Sequence, residues 1–415
     1  MKNLKLTLLC FVFLNASCAQ KDNSIVLPSE ENYEIINVYK DVDIPWSIEF
    51  LDENTIMYAE KKGEIYIVKN NDAVKVENVP QVYFRGQGGL LDLELHPDYK
   101  NNNLIYMSYS SGSRDQGGGN TAIARAKLID YTLTDIEVLY KGEENSTKGQ
   151  HYGSRLQFDK DGFLYFTIGD RGNRDKNPQN LELDGGKVYR IYDDGSIPDD
   201  NPFAGIKNVK EATYSYGHRN PQGMFLHPKT GKIWTHEHGP RGGDEINIIE
   251  PGKNYGWPKI TYGINYSGTT ITDDKELPGM EQPLYYWVPS IAPSGFAFLD
   301  SKRYKKWNGS LLVGSLKFQY LERLVLNKNN EVTYREKVAD SIGRVRDVKI
   351  SPDGYIYIGV ENKGIFKLVP KKWDYLFYYS FQLLFFLKKK MSPLKEESYY
   401  IKIYVWDVTC LMVKV

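Results

Sequence analysis

The chain has almost no cysteine. Only three of its 415 residues are cysteines, Cys10, Cys18 and Cys410, so none lies between Ala19 and Thr409. Because a disulfide would need two cysteines within that body, none holds it together. Stability has to come from a large buried core, which a chain of this length can build.

The chain also has a formal net charge of zero. The 53 lysines and arginines equal the 53 aspartates and glutamates in number. No overall field therefore exists that would attract nucleic acid or an anionic membrane surface. We expect a small-molecule partner and no nucleic acid.

The N-terminus lacks an apolar run long enough to span a bilayer, which takes about 20 residues. It combines Lys2 and Lys5 with an apolar stretch at residues 6–14, a pattern that predicts an export signal over residues 1–18. Cys18 follows small residues and resembles the acylation site of bacterial lipoproteins, although Asn15 stands where an aliphatic residue is usual. An ordinary cleaved signal is the alternative, so we expect a periplasmic or a membrane-anchored protein of a bacterium.

Tyrosine and glycine, by contrast, are abundant, with 32 and 36 copies. This bias indicates β-strands joined by tight turns, and we predict an all-β protein. Six copies of one hairpin pattern follow, each with two alternating strands around a turn. The apolar residues that precede the six turns are Phe50, Leu95, Phe158, Leu226, Phe298 and Ile350.

These repeats predict a six-bladed β-propeller over residues 30–370, since a β-sandwich would not repeat one hairpin six times. Residues 33–39 are expected to pair with residues 364–369 and complete the last blade. The pattern stops after Pro370, and residues 371–415 have neither blade turns nor alternation. An interfacial segment, a docking strand and a sequence anomaly remain open for this tail, and we assign it no function.

Four cationic side chains lie in predicted strand-end loops: Arg219, Lys317, Arg344 and Arg346. Residues two apart on a strand share a face, so Arg344 and Arg346 project together. Four cations that converge at a propeller axis would form a pocket for a polyanion. The alternative is ordinary solvated surface charge.

The segment HEHGPRGGDEIN offers His236, Glu237, His238 and Asp244 as ligands for zinc. The two histidines lie on one strand face, however, and do not form the helical arrangement of a zinc hydrolase. The corner at Gly239 and Pro240 instead exposes backbone carbonyls, which suit calcium.

A histidine and a carboxylate are predicted at one edge of a hairpin. His151 precedes the first strand of a blade, and Asp170 ends the second strand. A carboxylate that orients a histidine makes it a better proton acceptor. A structural histidine that caps a turn is the alternative.

Several short motifs occur in order along the chain: GQGGLLDLELHP, GQHYGSRLQFD, GDRGNRD, YGHRNPQG, EHGPRGGDEIN, NYGWP, PSIAPSG, GSLKFQ and RVRDVKISPDG. From about residue 44 to residue 369 the sequence resembles the soluble quinoprotein aldose sugar dehydrogenases, the glucose/sorbosone dehydrogenase family. The resemblance implies an enzyme that uses pyrroloquinoline quinone (PQQ) and calcium. It would oxidise the anomeric hydroxyl of an aldose to the lactone and pass electrons to an external acceptor, such as a cytochrome or a quinone.

The resemblance also implies roles for individual residues. His151 would take the proton of the anomeric hydroxyl while hydride passes to the quinone C5 carbon, and Asp170 would orient it. Gly239 and Pro240 would bind calcium through their carbonyl oxygens. The implied cofactor contacts are Gln87, Gln179, Arg219, Asn220, Tyr285, Lys317, Arg344 and Arg346.

Two other functions remain open. A propeller can bind sugar or protein without chemistry, because fold does not settle function. A calcium-dependent lactonase would surround its metal with side-chain carboxylates, whereas cations dominate this chain's candidate site. The loops between the motifs are short and lack the cysteines of the glucose-preferring members, so the sugar range also stays open.

Overall fold

The computed structural model describes residues 32–371, 400–402 and 412–414. The predicted signal at residues 1–18, with Cys18, lies outside the described residues, as does most of the tail at residues 371–415. Two short strands of that tail, Tyr400–Lys402 and Met412–Lys414, pair antiparallel with each other. No helix among the described residues is long and apolar enough to cross a membrane.

Residues 33–370 form six four-stranded antiparallel sheets, the blades of a propeller. The first strand of the chain is β1 (Tyr33–Tyr39). Blades 1 to 3 comprise β2 (Pro45–Asp52), β3 (Thr55–Glu60), β4 (Glu64–Lys69) and β5 (Asp72–Lys75); β6 (Leu90–Leu95), β7 (Leu104–Ser113), β8 (Gly118–Ile129) and β9 (Thr132–Lys141); and β10 (Leu156–Phe158), β11 (Leu164–Ile168), β12 (Lys187–Ile191) and β13 (Thr213–Tyr216). A one-turn helix, α1 (Tyr99–Asn102), lies between β6 and β7.

Blades 4 to 6 follow the same order. They comprise β14 (Pro221–Leu226), β15 (Ile233–Glu237), β16 (Asp244–Ile248) and β17 (Tyr285–Trp287); β18 (Pro293–Phe298), β19 (Leu311–Ser315), β20 (Tyr320–Leu326) and β21 (Val332–Val338); and β22 (Val345–Ile350), β23 (Ile356–Val360) and β24 (Gly364–Pro370), with β1 as the fourth strand. The all-β, six-bladed prediction is confirmed.

The ring closes through β1, which pairs antiparallel with β24 from Tyr33 opposite Pro370 to Tyr39 opposite Ile365. The outer strand of the last blade therefore comes from the start of the chain, as the sequence predicts. This pairing covers an edge that would otherwise present unpaired backbone groups.

Apolar side chains of neighbouring blades form the core. Met57 and Ile65 of blade 1 pack with Leu90 and Met107 of blade 2 in one buried cluster, and similar clusters join later blades. Each of the six predicted apolar residues lies on the first strand of its blade. The alternation seen in the sequence thus places one face of each strand between two sheets.

Buried ionic contacts join Arg155, the residue before β10, to the first strands of blades 2 and 6. The guanidinium Nη1 of Arg155 lies 3.0 Å from Asp92 Oδ1 and 3.1 Å from Asp347 Oδ1. Arg155 Nη2 also donates to the carbonyl of Arg346, at 3.4 Å. Since such a buried cluster is costly unless its members are paired, it fixes blades 2, 3 and 6 in one arrangement. This cluster supports the backbone of Arg346.

One end of the propeller carries the candidate site. Strand pairing sets the starts of the first strands beside the ends of the second strands, for example Pro45 opposite Glu60 and Pro221 opposite Glu237. The loop at residues 169–186, which joins β11 to β12 at this end, is longer than a hairpin turn requires. Residues 249–284 join β16 to β17 at the other end, and this long loop reaches the site end at Trp257. Loops held by a rigid scaffold in this way commonly carry function.

Candidate functional site

A cavity of about 820 Å³ opens at this end of the propeller. Its volume lies within the range of small-molecule sites. Five of the residues predicted from the sequence line it: Gln87, Pro240, Lys317, Arg344 and Arg346. The fold therefore brings predicted site residues that lie up to 259 positions apart in the sequence to one cavity.

Positive charge dominates the described lining of this cavity. Arg344 and Arg346 both pair with Glu361, whose carboxylate lies 2.6 Å from Arg344 Nε and 2.9 Å from Arg346 Nε. Lys61 and Lys317 line the cavity as well. Burial lowers the pKa of Lys61, and the charge of Arg346 lowers it further. An anion bound here would relieve this repulsion, so the cavity favours an anionic ligand.

A second cavity, of about 330 Å³, is lined by His151, Asp170 and Arg219. It shares Pro240 and Tyr266 with the first cavity. The two are also joined by a hydrogen bond, in which the backbone N–H of His151 donates to Gln87 Oε1 at 2.7 Å. The histidine and the cationic cavity thus belong to one site.

His151 and Asp170 form a close pair, with 2.6 Å between Nδ1 and Oδ1. The same oxygen accepts from the N–H of Gly172 at 2.7 Å, and Oδ2 accepts from Trp257 Nε1 at 2.8 Å. Three donors therefore fix the Asp170 carboxylate. Its side chain is 1% exposed, whereas that of His151 is 12% exposed and faces the cavity.

The electrostatics keep the pair in the state that a base requires. Burial would raise the pKa of Asp170, but hydrogen bonds from His151 and Trp257 and the charge of Arg219 hold it below its usual value. Burial lowers the pKa of His151, and Arg219 lowers it further. At neutral pH Asp170 is ionised and His151 is neutral. Nδ1 then carries the proton and Nε2 offers a lone pair, a tautomer assigned from the hydrogen bonds.

Arg171 holds the loop that carries His151. Its guanidinium donates to the carbonyls of Gly119 at 3.0 Å and Lys148 at 3.1 Å, and to that of Gln150. It also lies 3.4 Å from the centroid of the Tyr152 ring. Because His151 has a positive φ of 55°, these contacts on both sides of it restrain a conformation that a histidine adopts rarely.

Asn220 and Arg219 lie behind the His151 loop. Asn220 is fully buried, and its Oδ1 accepts from the N–H of Gly153 at 3.0 Å. Its Nδ2 is buried without a hydrogen-bond partner among the described residues. Arg219 donates to the carbonyls of His238 at 2.9 Å and Gly239 at 3.1 Å.

Gly239 and Pro240 face different spaces. Pro240 lines the two larger cavities, whereas Gly239 lines a small cavity of about 10 Å³ with the carboxylates of Glu237 and Glu245. A Cβ on Gly239 would lie 2.2 Å from the carbonyl oxygen of Gly242, so only glycine fits. Burial raises the pKa of Glu245, and the charge of Glu237 raises it further.

The zinc alternative does not fit these surroundings. His236 Nε2 lies 3.2 Å from the carbonyl oxygen of Gly295, and His238 Nε2 lies 2.7 Å from that of Pro293. Asp244 accepts hydrogen bonds from Ser290 and from backbone N–H groups. No group of three or more His, Cys, Asp or Glu side chains in the described part of the chain is placed to hold a metal ion.

Two predicted cofactor contacts lie elsewhere. Tyr285 is on β17, the outer strand of blade 4, where it packs on Trp287 and accepts from Arg335 at 3.1 Å. Gln179 exchanges two hydrogen bonds with Asn254, at 2.8 and 3.0 Å, and donates to the carbonyl of Trp257. Neither residue is part of the lining of the two large cavities. In this structure their polar groups contact the scaffold, and their roles as cofactor contacts stay predictions.

Four residues of the site were missed by the sequence analysis: Lys61, Trp257, Tyr266 and Glu361. Trp257 and Tyr266 lie on the long connection between β16 and β17. Lys61 and Lys62 are neighbours in the turn after β3. The sequence does not tell which of them reaches the cavity, because this depends on the strand register that pairs Glu60 with Glu64. Glu361 is an ordinary residue after a strand, and no pattern singles it out.

At one end of the six-bladed propeller, a cavity lined by cations adjoins a histidine that a buried carboxylate orients. The family model "Glucose / Sorbosone dehydrogenase" matches residues 42–368. The chain belongs to this family and is an oxidoreductase.

Named sugar dehydrogenases match this chain over most of their own length. Aldose sugar dehydrogenase YliI of Escherichia coli is 38% identical over 338 residues, which cover 80% of this chain and 90% of the relative. Quinoprotein glucose dehydrogenase B of Acinetobacter calcoaceticus is 31% identical and covers 80% of this chain and 86% of its own. The apo crystal structure of the soluble aldose sugar dehydrogenase from Escherichia coli superposes with a TM-score of 0.77 at 36% identity, over 82% of this chain and 100% of the other.

Proposed function

We propose that the protein oxidises the anomeric hydroxyl of aldose sugars to the lactone, with PQQ and calcium as cofactors and an external electron acceptor. The single observation that carries the proposal is the neutral His151, oriented by Asp170, beside a cationic cavity. The exported, membrane-anchored or periplasmic location expected from residues 1–18 is part of the same proposal.

The cavity residues fit the quinone. PQQ carries three carboxylates, and Lys61, Lys317 and the arginine pair supply the opposite charge. The buried Nδ2 of Asn220, which has no partner in the described structure, offers a donor to a carbonyl or carboxylate. When bound, PQQ supplies an electron-poor carbonyl carbon that accepts hydride from the sugar.

Calcium fits the chemistry of the donor groups around Gly239. Carbonyl and carboxylate oxygens are the ligands that calcium prefers. The Gly239 carbonyl, Glu237 and Glu245 enclose the small cavity, and the Pro240 carbonyl lies at the edge of the larger ones. Arg219 occupies the Gly239 carbonyl at 3.1 Å, so calcium would compete with this guanidinium for the oxygen.

The protein's own residues account for the proton transfer. His151 Nε2 has no hydrogen bond to another described residue and would accept the proton of the anomeric hydroxyl. Asp170 would stabilise the imidazolium that forms, without taking the proton itself. Trp257 and Gly172 hold Asp170 in place during this change.

The test is a comparison of wild type with His151→Ala, using PQQ, calcium, an aldose and a redox dye. We expect turnover to fall by roughly 100-fold or more, since a general base contributes about that much. Binding of PQQ, followed by calorimetry, should stay within about threefold. Wild-type turnover in His151→Ala would refute the role of the histidine.

A further inference from the structure

The rim of the large cavity carries an unusual amount of exposed apolar surface. Among the described residues, Tyr266, Val288 and Phe84 are the most exposed large hydrophobic side chains, at 73%, 63% and 57%, and Phe318 is 42% exposed. We call these four residues the mouth surface. Exposed apolar side chains that gather in one place commonly mark an interaction site.

Contacts place all four side chains around the cavity. Tyr266 lines it directly. The Phe84 ring lies 5.2 Å from Lys61 Nζ and the Phe318 ring 5.0 Å from Lys317 Nζ, and both lysines line the cavity. Val288 approaches Gly242, next to the lining residue Arg241.

Cations alternate with these apolar groups. Arg85 follows Phe84 in the chain, Lys317 precedes Phe318, and Arg241 lies beside Gly242. None of the three forms an ion pair with another residue of the described range 32–371. Exposed apolar side chains interspersed with cations suit a transient interface that selects a partner of opposite charge.

We propose that the mouth surface docks an acidic one-electron redox protein, which is the electron acceptor of the enzyme. This inference rests on the proposed function. Oxidation of one hemiacetal to a lactone releases two electrons and two protons, so two acceptor molecules dock in turn, each takes one electron, and the protons pass to solvent. The small, open surface suits a weak complex that forms and dissociates quickly.

A sugar polymer is the other ligand that exposed aromatic side chains could bind. The observations favour the redox protein, because Val288 has no flat face for a sugar ring and because a neutral polymer gains little from unpaired cations. The experiment separates the two.

The experiment measures sugar oxidation with three acceptors: a small dye, the acidic protein plastocyanin and the basic protein cytochrome c. The test variants are Phe84→Ser with Phe318→Ser as one double variant, Val288→Ser, and Arg85→Glu. The matched controls are Val138→Ser, an exposed valine of β9, and Lys302→Glu. Lys302 lies between β18 and β19, at the opposite end of the propeller from Lys317.

We expect wild type to reduce plastocyanin faster than cytochrome c at low salt, and this preference to fade as salt is added. Each test variant should raise the KM for plastocyanin roughly tenfold, the effect of losing one central contact or rim charge, with the dye rate unchanged. The controls should behave as wild type.

Three results would overturn the inference while the dye assay still works: no electron transfer from wild type to plastocyanin, an unchanged KM in the test variants, or a preference for cytochrome c. A selective loss of activity toward oligosaccharides with the dye would overturn it too and assign the surface to sugar binding. Failure of the dye assay in wild type would instead refute the proposed function.

Discussion

The substitution Asp170→Asn tests the electrostatic core of the site with little change in shape. In wild type one carboxylate accepts three hydrogen bonds, from His151 at 2.6 Å, Gly172 at 2.7 Å and Trp257 at 2.8 Å. An amide offers one oxygen and one NH₂ group. In either orientation of the amide two contacts are kept and one donor is left facing another donor.

The two orientations have different consequences for His151. If the amide oxygen faces His151 and Gly172, the tautomer is kept, but the negative charge that supports the imidazolium is lost. If the NH₂ group faces His151, Nδ1 becomes the acceptor, the proton moves to Nε2, and the lone pair needed for catalysis disappears. Both orientations weaken the base, so we expect kcat to fall by roughly 100- to 10,000-fold. One unsatisfied buried donor should also cost about 1–3 kcal/mol of unfolding free energy.

The pH profile separates the orientations. In wild type the rate falls as pH drops through the pKa of His151, which burial and Arg219 place below its usual value. Asp170 works in the opposite direction and raises that pKa. Its loss should therefore move the acid limb of kcat/KM to lower pH if the tautomer is kept, and should abolish the limb if it is not.

The assay is dye reduction at saturating cofactor from pH 4 to pH 9, with thermal unfolding measured in parallel. Asp161→Asn, in an exposed turn of the same blade, is the matched control and should leave kcat unchanged. A kcat of Asp170→Asn within threefold of wild type, with no shift of the acid limb, would refute the reasoning.

Two further predictions concern Arg171, which holds the His151 loop, and Arg346, which lines the large cavity. Arg171→Lys keeps the charge, but lysine lacks the planar group that contacts three carbonyls at once. We expect kcat to fall about tenfold with the KM for sugar nearly unchanged, and added guanidinium to restore part of the rate. An equal loss in kcat and folding yield without rescue would contradict a positioning role. Arg346→Gln removes a cation from the cavity and should weaken PQQ binding by roughly tenfold or more. Fluorescence titration measures this affinity. An unchanged affinity would mean that the quinone binds elsewhere.

Much of the fold was predictable because the blade hairpin repeats. Alternation located the first strand of every blade, and the need to close an open edge predicted that β1 would pair with β24. Spacing alone also placed His151 and Asp170 at one hairpin edge, since antiparallel pairing brings the start of one strand beside the end of the next.

The sequence could not place side chains whose direction depends on long loops. Tyr285, Tyr286 and Trp287 are adjacent in a short outer strand, so the motif could not tell which ring turns toward the site, and the structure turns Tyr285 toward Arg335. Gln179 has the right chemistry for a ligand, but its amide is complementary to Asn254, 75 residues away. Such pairings arise only in the folded protein.

The most direct test of the account is sugar-dependent dye reduction by the purified protein freed of cofactor, with PQQ and calcium added separately and together, over a panel of mono- and disaccharide aldoses. We predict activity only when both are present. Absence of activity with both, combined with no calorimetric binding of PQQ, would contradict it and favour a propeller that binds without chemistry.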